Sequence, residues 1–172
     1  MKAMTLSQPW ATLVAIGAKR IETRGWSTKY RGPLAIHAAK GLGGLGMEPS
    51  GFGLEFDLDL LCREPKFVDC LLNAGYTRTS MLPRGQVVAI CDLVSVREIL
   101  PAHSKRELPG WEWAGPDGTN YRFALDDREY AFGDYTAGRH AWLLHNVRQI
   151  TPVPVKGALG LWECQQSLEK VL

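Results

Sequence analysis

The stretch Gln86–Val96 constrains this chain more than any other. It reads Gln-Val-Val-Ala-Ile-Cys-Asp-Leu-Val-Ser-Val, rich in β-branched residues and apolar on both faces. A strand of that kind is buried on both sides, as in the wall of a small barrel covered by helices. With 172 residues the chain reads as one domain, long enough to bury about two thirds of its unfolded surface without a disulfide staple.

The flanking segments fit that frame. Ser7-Gln8-Pro9 reads as a helix start, with Ser7 as the cap and Pro9 in the first turn. Trp10, Leu13 and Val14 follow at helical spacing, and Gly17 is the stop. Ile21–Arg24 reads as a short strand with Glu22 and Arg24 on one face and Ile21 and Thr23 on the other. Trp26–Gly32 is a polar loop and Leu34–Ala39 a second strand. Glycines crowd residues 41–53, but no Gly-Lys-Ser/Thr follows, so this is no phosphate-binding loop. Residues 54–75 read as helical, with Phe67, Val68, Leu71 and Leu72 as the apolar stripe and Gly75 closing it. Pro83-Arg84-Gly85 is a turn. Residues 101–128 read as a long loop carrying Trp111, Trp113 and Tyr121. Arg139–Ile150 is a strand, the prolines keep 151–155 extended, and a last short strand ends at Trp162. Short strands with one N-terminal helix make an α+β fold, a small, mixed, partly open β-barrel.

Net charge is only +2, too little to claim a nucleic-acid partner. Its distribution says more. Residues 1–40 hold Lys2, Lys19, Arg20, Arg24, Lys29, Arg31 and Lys40 against Glu22 alone, or +6; the remainder sums to −4. That asymmetry predicts a local anion-binding face. No apolar run is long enough to span a membrane, and the N-terminus lacks the apolar core of a signal peptide. Cysteines 62, 70, 91 and 164 form no Cys-x-x-Cys pair and have no His at zinc spacing, so no metal site and no cofactor are expected. Unpaired thiols predict a reducing cytoplasm.

The densest chemical signal is Gly17-Ala18-Lys19-Arg20-Ile21-Glu22-Thr23-Arg24. A Lys, a Glu and an Arg at the junction of a helix stop and a strand start can converge on one pocket. Burial can push a Lys toward neutrality, whereas a neighbouring carboxylate holds it charged. Arg offers a planar fork for phosphate or carboxylate. The plain alternative is a surface Glu22–Arg24 ion pair.

Gln8-Pro9-Trp10-Ala11, Gly17-x-Lys19-x-x-Glu22-x-Arg24 and Tyr30-Arg31-Gly32-Pro33-Leu34-x-Ile36-His37-Ala38-Ala39-Lys40 together resemble the ASCH domain family of the PUA-like superfamily. The segments Pro83-Arg84-Gly85, Glu129-x-x-Phe132-Gly133-Asp134, Gly138-Arg139-x-Ala141-Trp142 and Pro154-Val155-Lys156-Gly157 resemble its bacterial and phage branch. The resemblance leaves out about 41–80 and 100–127, which then read as insertions in a single domain over 1–172. It implies a barrel with a cleft beside the N-terminal helix and the Lys19–Glu22–Arg24 set at its mouth. It also implies RNA or a modified nucleoside as ligand, with single-stranded DNA a further candidate, and no membrane partner. Some members are similar to ribonucleases. A small branch resembles amidohydrolases that deacetylate 4-acetylcytidine, using the motif Lys, a Thr and a downstream Glu. Lys19 falls on that Lys and Glu129 is the candidate for the Glu, but Glu22 stands where that branch has its Thr.

The site residues expected are therefore Lys19, Glu22, Arg24 and Glu129 for chemistry, with Tyr30, Arg31, Lys40 and Arg139 for phosphate and base contacts. His37 is expected to be an inward, hydrogen-bonded strand residue. Trp111 and Trp113 would either cover the cleft or pack their segment onto the barrel. Turnover stays open between a metal-independent ribonuclease and a nucleoside amidohydrolase. A non-catalytic adaptor for an acidic partner is the third reading. Lys19→Ala is expected to abolish turnover and leave the fold intact.

Overall fold

The computed structural model describes residues 1–41, 65–101, 109–114, 120–166 and 168. The glycine-rich loop beyond 41 and the helical reading of 54–64 lie outside them. Six strands form one mixed sheet: β1 (Lys2–Leu6), β2 (Ile21–Arg24), β3 (Gly32–Ala38), β4 (Gln86–Glu98), β7 (His140–Pro154) and β8 (Leu161–Glu163). A separate hairpin pairs β5 (Gly110–Ala114) with β6 (Asn120–Ala124). The helices among the described residues are α1 (Trp10–Ala15), α2 (Pro65–Asn73) and α3 (Asp127–Ala131), and Thr79–Met81 makes one 3-10 turn.

The sheet order is β2-β7-β4-β3-β1-β8, with β1 parallel to β3 and every other neighbour antiparallel. β4 and β7 are the longest strands, and their register slips three times. Each slip is a bulge that sharpens the local bend and twist, so the sheet curls into the half-barrel of a small α+β fold. β4 is buried on both faces from Val87 to Leu93, as its composition demands; beyond Leu93 the expectation fails, because the strand runs past the core and Val94, Arg97 and Glu98 are exposed. Ala89, Cys91 and Leu93 face the interior with Met4, Leu34, Ile36 and Trp142, and α1 closes it with Ala11 and Val14. Val87 and Ile90 face the other way, against Ala3, Ala35 and Ile150.

Several details differ from the sequence reading. β1 gives little sequence signal, because Lys2 and Thr5 alternate with only three apolar residues, and pairing with β3 and β8 makes the strand. Ser7 does not cap α1. The Gln8 side chain does, accepting from Thr12 N at 3.1 Å and Thr12 Oγ1 at 2.9 Å, across a cis Gln8–Pro9 peptide. The strand expected to end at Ile150 runs on to Pro154. Residues 101–128 are not one loop, since they contain β5, β6 and the start of α3. Trp111 is buried with Ile21, Ile99, Leu125 and Tyr135, so it packs the hairpin onto the sheet; the side chain of Trp113 lies outside the described set.

His37 is an inward strand residue, as expected. Its Nε2–H donates to the Val155 carbonyl at 3.0 Å, while Nδ1 is buried without a partner. The ring meets Trp162 edge-on, and Gly157 lies so close against it that a Cβ there would collide with the imidazole. Burial pulls the His37 pKa below its ordinary 6.5, against the opposing pull of the Val155 bond. The unfolded chain therefore binds this proton more readily, and stability falls as pH drops below about 6.5. Thermal unfolding followed between pH 7.5 and 5.5 should show that loss, and His37→Gln should flatten it. An unflattened curve would place the acid sensitivity elsewhere.

Candidate nucleotide-binding cleft

α1 ends at Gly17, which takes φ +75°, a conformation open to glycine at no steric cost. The turn is closed by Gly17 N–H donating to Val14 O and Lys19 N–H to Leu13 O. It folds Lys19 back beneath the helix and sends the chain into β2. There, alternation points Glu22 and Arg24 to one face and leaves Ile21 in the apolar cluster on the other, as the strand reading predicts.

Lys19 is fully buried. Its Nζ donates to the Ile21 carbonyl at 2.5 Å and lies 3.8 Å from Glu22 Oε2 and 3.9 Å from Glu129 Oε1. The Tyr135 ring centroid is 5.8 Å away. Burial draws the Lys19 pKa below its ordinary 10.5, while Glu22 and Glu129 pull the other way and hold the ammonium. Glu129 comes from α3, whose first turn is capped by Asp126 accepting from Glu129 N at 2.7 Å. The Glu129 carboxylate accepts from the N–H groups of Arg20 at 3.0 Å and Ile21 at 3.1 Å, and from Tyr135 Oη at 3.1 Å. Burial and the Glu129 charge raise the Tyr135 pKa, so its hydroxyl remains a donor. Glu129 thus pins the start of β2 and is itself shut away from solvent, at 3 % exposure.

Glu22 is the member of this set that faces outward. Its Oε1 lies 3.2 Å from Arg24 Nε, while Lys19 holds Oε2 from below. Arg24 is braced in turn by donating from Nη2 to the Thr5 carbonyl at 2.9 Å. Glu22 and Arg24 line a cleft of about 450 Å³ with Thr5, Ser7, Trp10 and Phe67, bounded on the far side by Phe132, Gly133 and Asp134. Trp10 and Phe67 meet edge-to-face at 5.8 Å, and Trp10 Nε1–H donates to the Phe132 carbonyl at 2.9 Å. That bond ties α1 to the end of α3 and fixes the width of the cleft.

Arg139 is outside the lining of the cleft but holds two residues that belong to it, Asp134 and Thr23. It donates from Nε to the Asp134 carbonyl at 3.0 Å, pairs with the Asp134 carboxylate at 3.3 Å and donates from Nη2 to the Thr23 carbonyl at 3.3 Å. The other three expected contact residues do not line the cleft either. Tyr30 donates to the Pro33 carbonyl and Arg31 to the Thr28 and Tyr30 carbonyls, before the first residue of β3. Lys40 lies beyond the opposite end of β3 with its stem against Gly85. Seven strand residues, about 20 Å, separate them.

Nor does the basic N-terminal quarter form one face. Lys2 pairs with Glu163 at 2.7 Å, Lys19 is interior, Arg20 lies 3.6 Å from Asp126, and Arg24 holds Glu22. Acids from the remainder of the chain meet these bases in space. Sequence reasoning missed Tyr135 and Gly133. The first had no motif to mark it. The second sits inside the Glu129–Asp134 segment, where a missing side chain makes room for Lys19.

The profile of the ASCH domain matches residues 4–154. The chain belongs to the ASCH domain family. A comparison with curated proteins finds no match. Some of the segments that carry the family likeness build this cleft: Glu22 and Arg24 of the motif line its floor above Lys19, Trp10 lines a wall, and Phe132-Gly133-Asp134 is its far wall.

Gly133 offers a test of how tightly the floor is set. A Cβ there would stand 2.8 Å from the Tyr135 ring and 3.3 Å from Lys19 Nζ. Gly133→Ala should displace both groups and cost about 1–3 kcal/mol, as overpacking does. Urea unfolding would measure it, and a change within error would mean the floor is loose.

Proposed function

We propose that this ASCH domain is an RNA- or nucleotide-binding protein whose cleft takes a single nucleobase. Family membership suggests nucleic acid as the class of partner. The observation that carries the reading is the Glu22 carboxylate, held from two sides by Lys19 and Arg24 and presented to a cleft walled by Trp10 and Phe67. A fixed carboxylate accepts from base N–H groups, and unstacked bases lodge against aromatic walls and offer their hydrogen-bonding edges. The volume suits one small ligand. Glu22 and Asp134 together disfavour a phosphate inside the cleft, which leaves phosphates at the rim beside Arg139. The full burial of Lys19 favours binding over attack by its amine, because no open path leads to Nζ.

The test is labelled single-stranded RNA followed by fluorescence anisotropy at low and physiological salt, with 4-acetylcytidine incubated in parallel. Saturable binding with a shallow salt slope is expected, because few phosphates are neutralised. No binding at low salt would sink the reading. Cleavage of the RNA would replace it with a ribonuclease, and deacetylation of the nucleoside with an amidohydrolase.

A further inference from the structure

β2 is an edge strand, and the face opposite the cleft carries a second groove of about 380 Å³, lined by Arg20, Ile21, Ser95, Arg97, Trp111, Leu143 and His145. Its layout follows from strand register. Ile21, Leu143 and Ser95 lie in one row across β2, β7 and β4, and Thr23, Ala141 and Arg97 lie in the next. Ile21 of the first row and Ala141 of the second are buried and pack with Trp111 and Ile99. The groove therefore has an apolar floor, one indole wall, and basic groups at its margins.

The charge is one-sided. The described lining includes no Asp or Glu, unlike the cleft with its Glu22 and Asp134. Arg97 is exposed, and neither it nor His145 has a charged partner among the described residues. Among the described residues Arg20 is paired with Asp126 alone, at 3.6 Å, with both side chains more than half exposed. A pair that open is worth little and gives way easily. Two guanidinium forks suit the oxygens of a phosphate, which they bind in bidentate fashion. The floor of Ile21 and Leu143 suits an apolar or planar body attached to that phosphate.

From this juxtaposition we infer a second ligand site on the back of β2, taking a phosphate monoester of nucleotide size, with Arg97 and Arg20 on the phosphate and the body over Ile21 and Leu143. This site stands independently of the cleft reading, since no side chain proposed to bind in the cleft is used here.

The experiment is an NMR titration with adenosine 5′-monophosphate, following the indole N–H of Trp111 and the ring of His145 against the indole of Trp10 in the cleft. Adenosine and inorganic phosphate serve as the two halves of the probe. Saturable shifts at Trp111 and His145 are expected, with Kd on the order of 0.1–1 mM. Each half alone should bind about tenfold more weakly or worse. Arg97→Ala, an exposed change whose melting curve should match the parent, should weaken binding about tenfold, and Arg97→Lys should recover part of it. Shifts at Trp10 with Trp111 and His145 unmoved would place the nucleotide in the cleft alone and overturn the inference. So would the absence of saturable shifts, equal affinity for adenosine, or an Arg97→Ala protein that binds like the parent.

Discussion

Lys19→Met is expected to destabilise the protein by about 3–5 kcal/mol, the usual cost of removing one partner from a buried ion cluster. That is a large part of the 5–15 kcal/mol typical of a domain. Methionine fills the volume, so a cavity does not explain the loss. The cost arises because Glu22 and Glu129 keep their charges beneath the surface with the ammonium gone. The Ile21 carbonyl also loses its closest donor among the described side chains; the Tyr135 hydroxyl lies 3.3 Å away but has a single proton, and Glu129 is the nearer acceptor at 3.1 Å. The expectation from sequence that Lys19→Ala leaves the fold intact therefore does not survive the structure, because the side chain is interior. Urea unfolding at pH 7 measures the deficit. Adding Glu22→Gln to Lys19→Met should recover part of the loss at neutral pH. A stability change below about 1 kcal/mol would mean that Lys19 is not the counter-ion of this cluster.

Glu22→Ala is expected to weaken binding of single-stranded RNA by about tenfold or more, the worth of a hydrogen bond to a charged group. The direction is the informative part. If the protein attracted RNA only as a polyanion, deleting an acid would tighten binding and steepen its salt dependence. If Glu22 reads a base, deletion weakens binding and leaves the salt slope unchanged. Anisotropy at two salt concentrations separates the cases. Lys19 still faces Glu129, and Arg24 still donates to the Thr5 carbonyl, so the cleft retains its other braces. A melting curve establishes that the variant is folded. Binding equal to or tighter than the parent would remove Glu22 from the site.

Much of the architecture was legible because it rests on local pattern. The Val- and Ile-rich run of β4 announced burial on both faces, the alternation of β2 placed Glu22 and Arg24 together, and Gly17 marked the end of α1. Lys19, Glu22 and Arg24 meet in space, as their crowding at a helix–strand junction suggests. Glu129 joined them only through family likeness, since nothing local tells that a helix more than a hundred residues later supplies the second carboxylate. The basic N-terminal quarter misled for the complementary reason. Charge counted along a chain ignores who meets whom in space, and Glu163, Asp126 and Glu129 all come from the acidic remainder. Tyr30, Arg31 and Lys40 are close in sequence, but β3 holds them at opposite ends.

The bonds from Glu129 to the N–H groups of Arg20 and Ile21 span more than a hundred residues. They set an order of events during synthesis. A nascent chain that has released residues 1–40 has delivered the whole Lys19–Arg24 motif and still has no floor to its cleft. The cleft is complete only when α3 and β7 have emerged and docked, late contacts that are slow to form. Until then the motif is present in sequence without the carboxylate that pins β2 and without the far wall of the cleft.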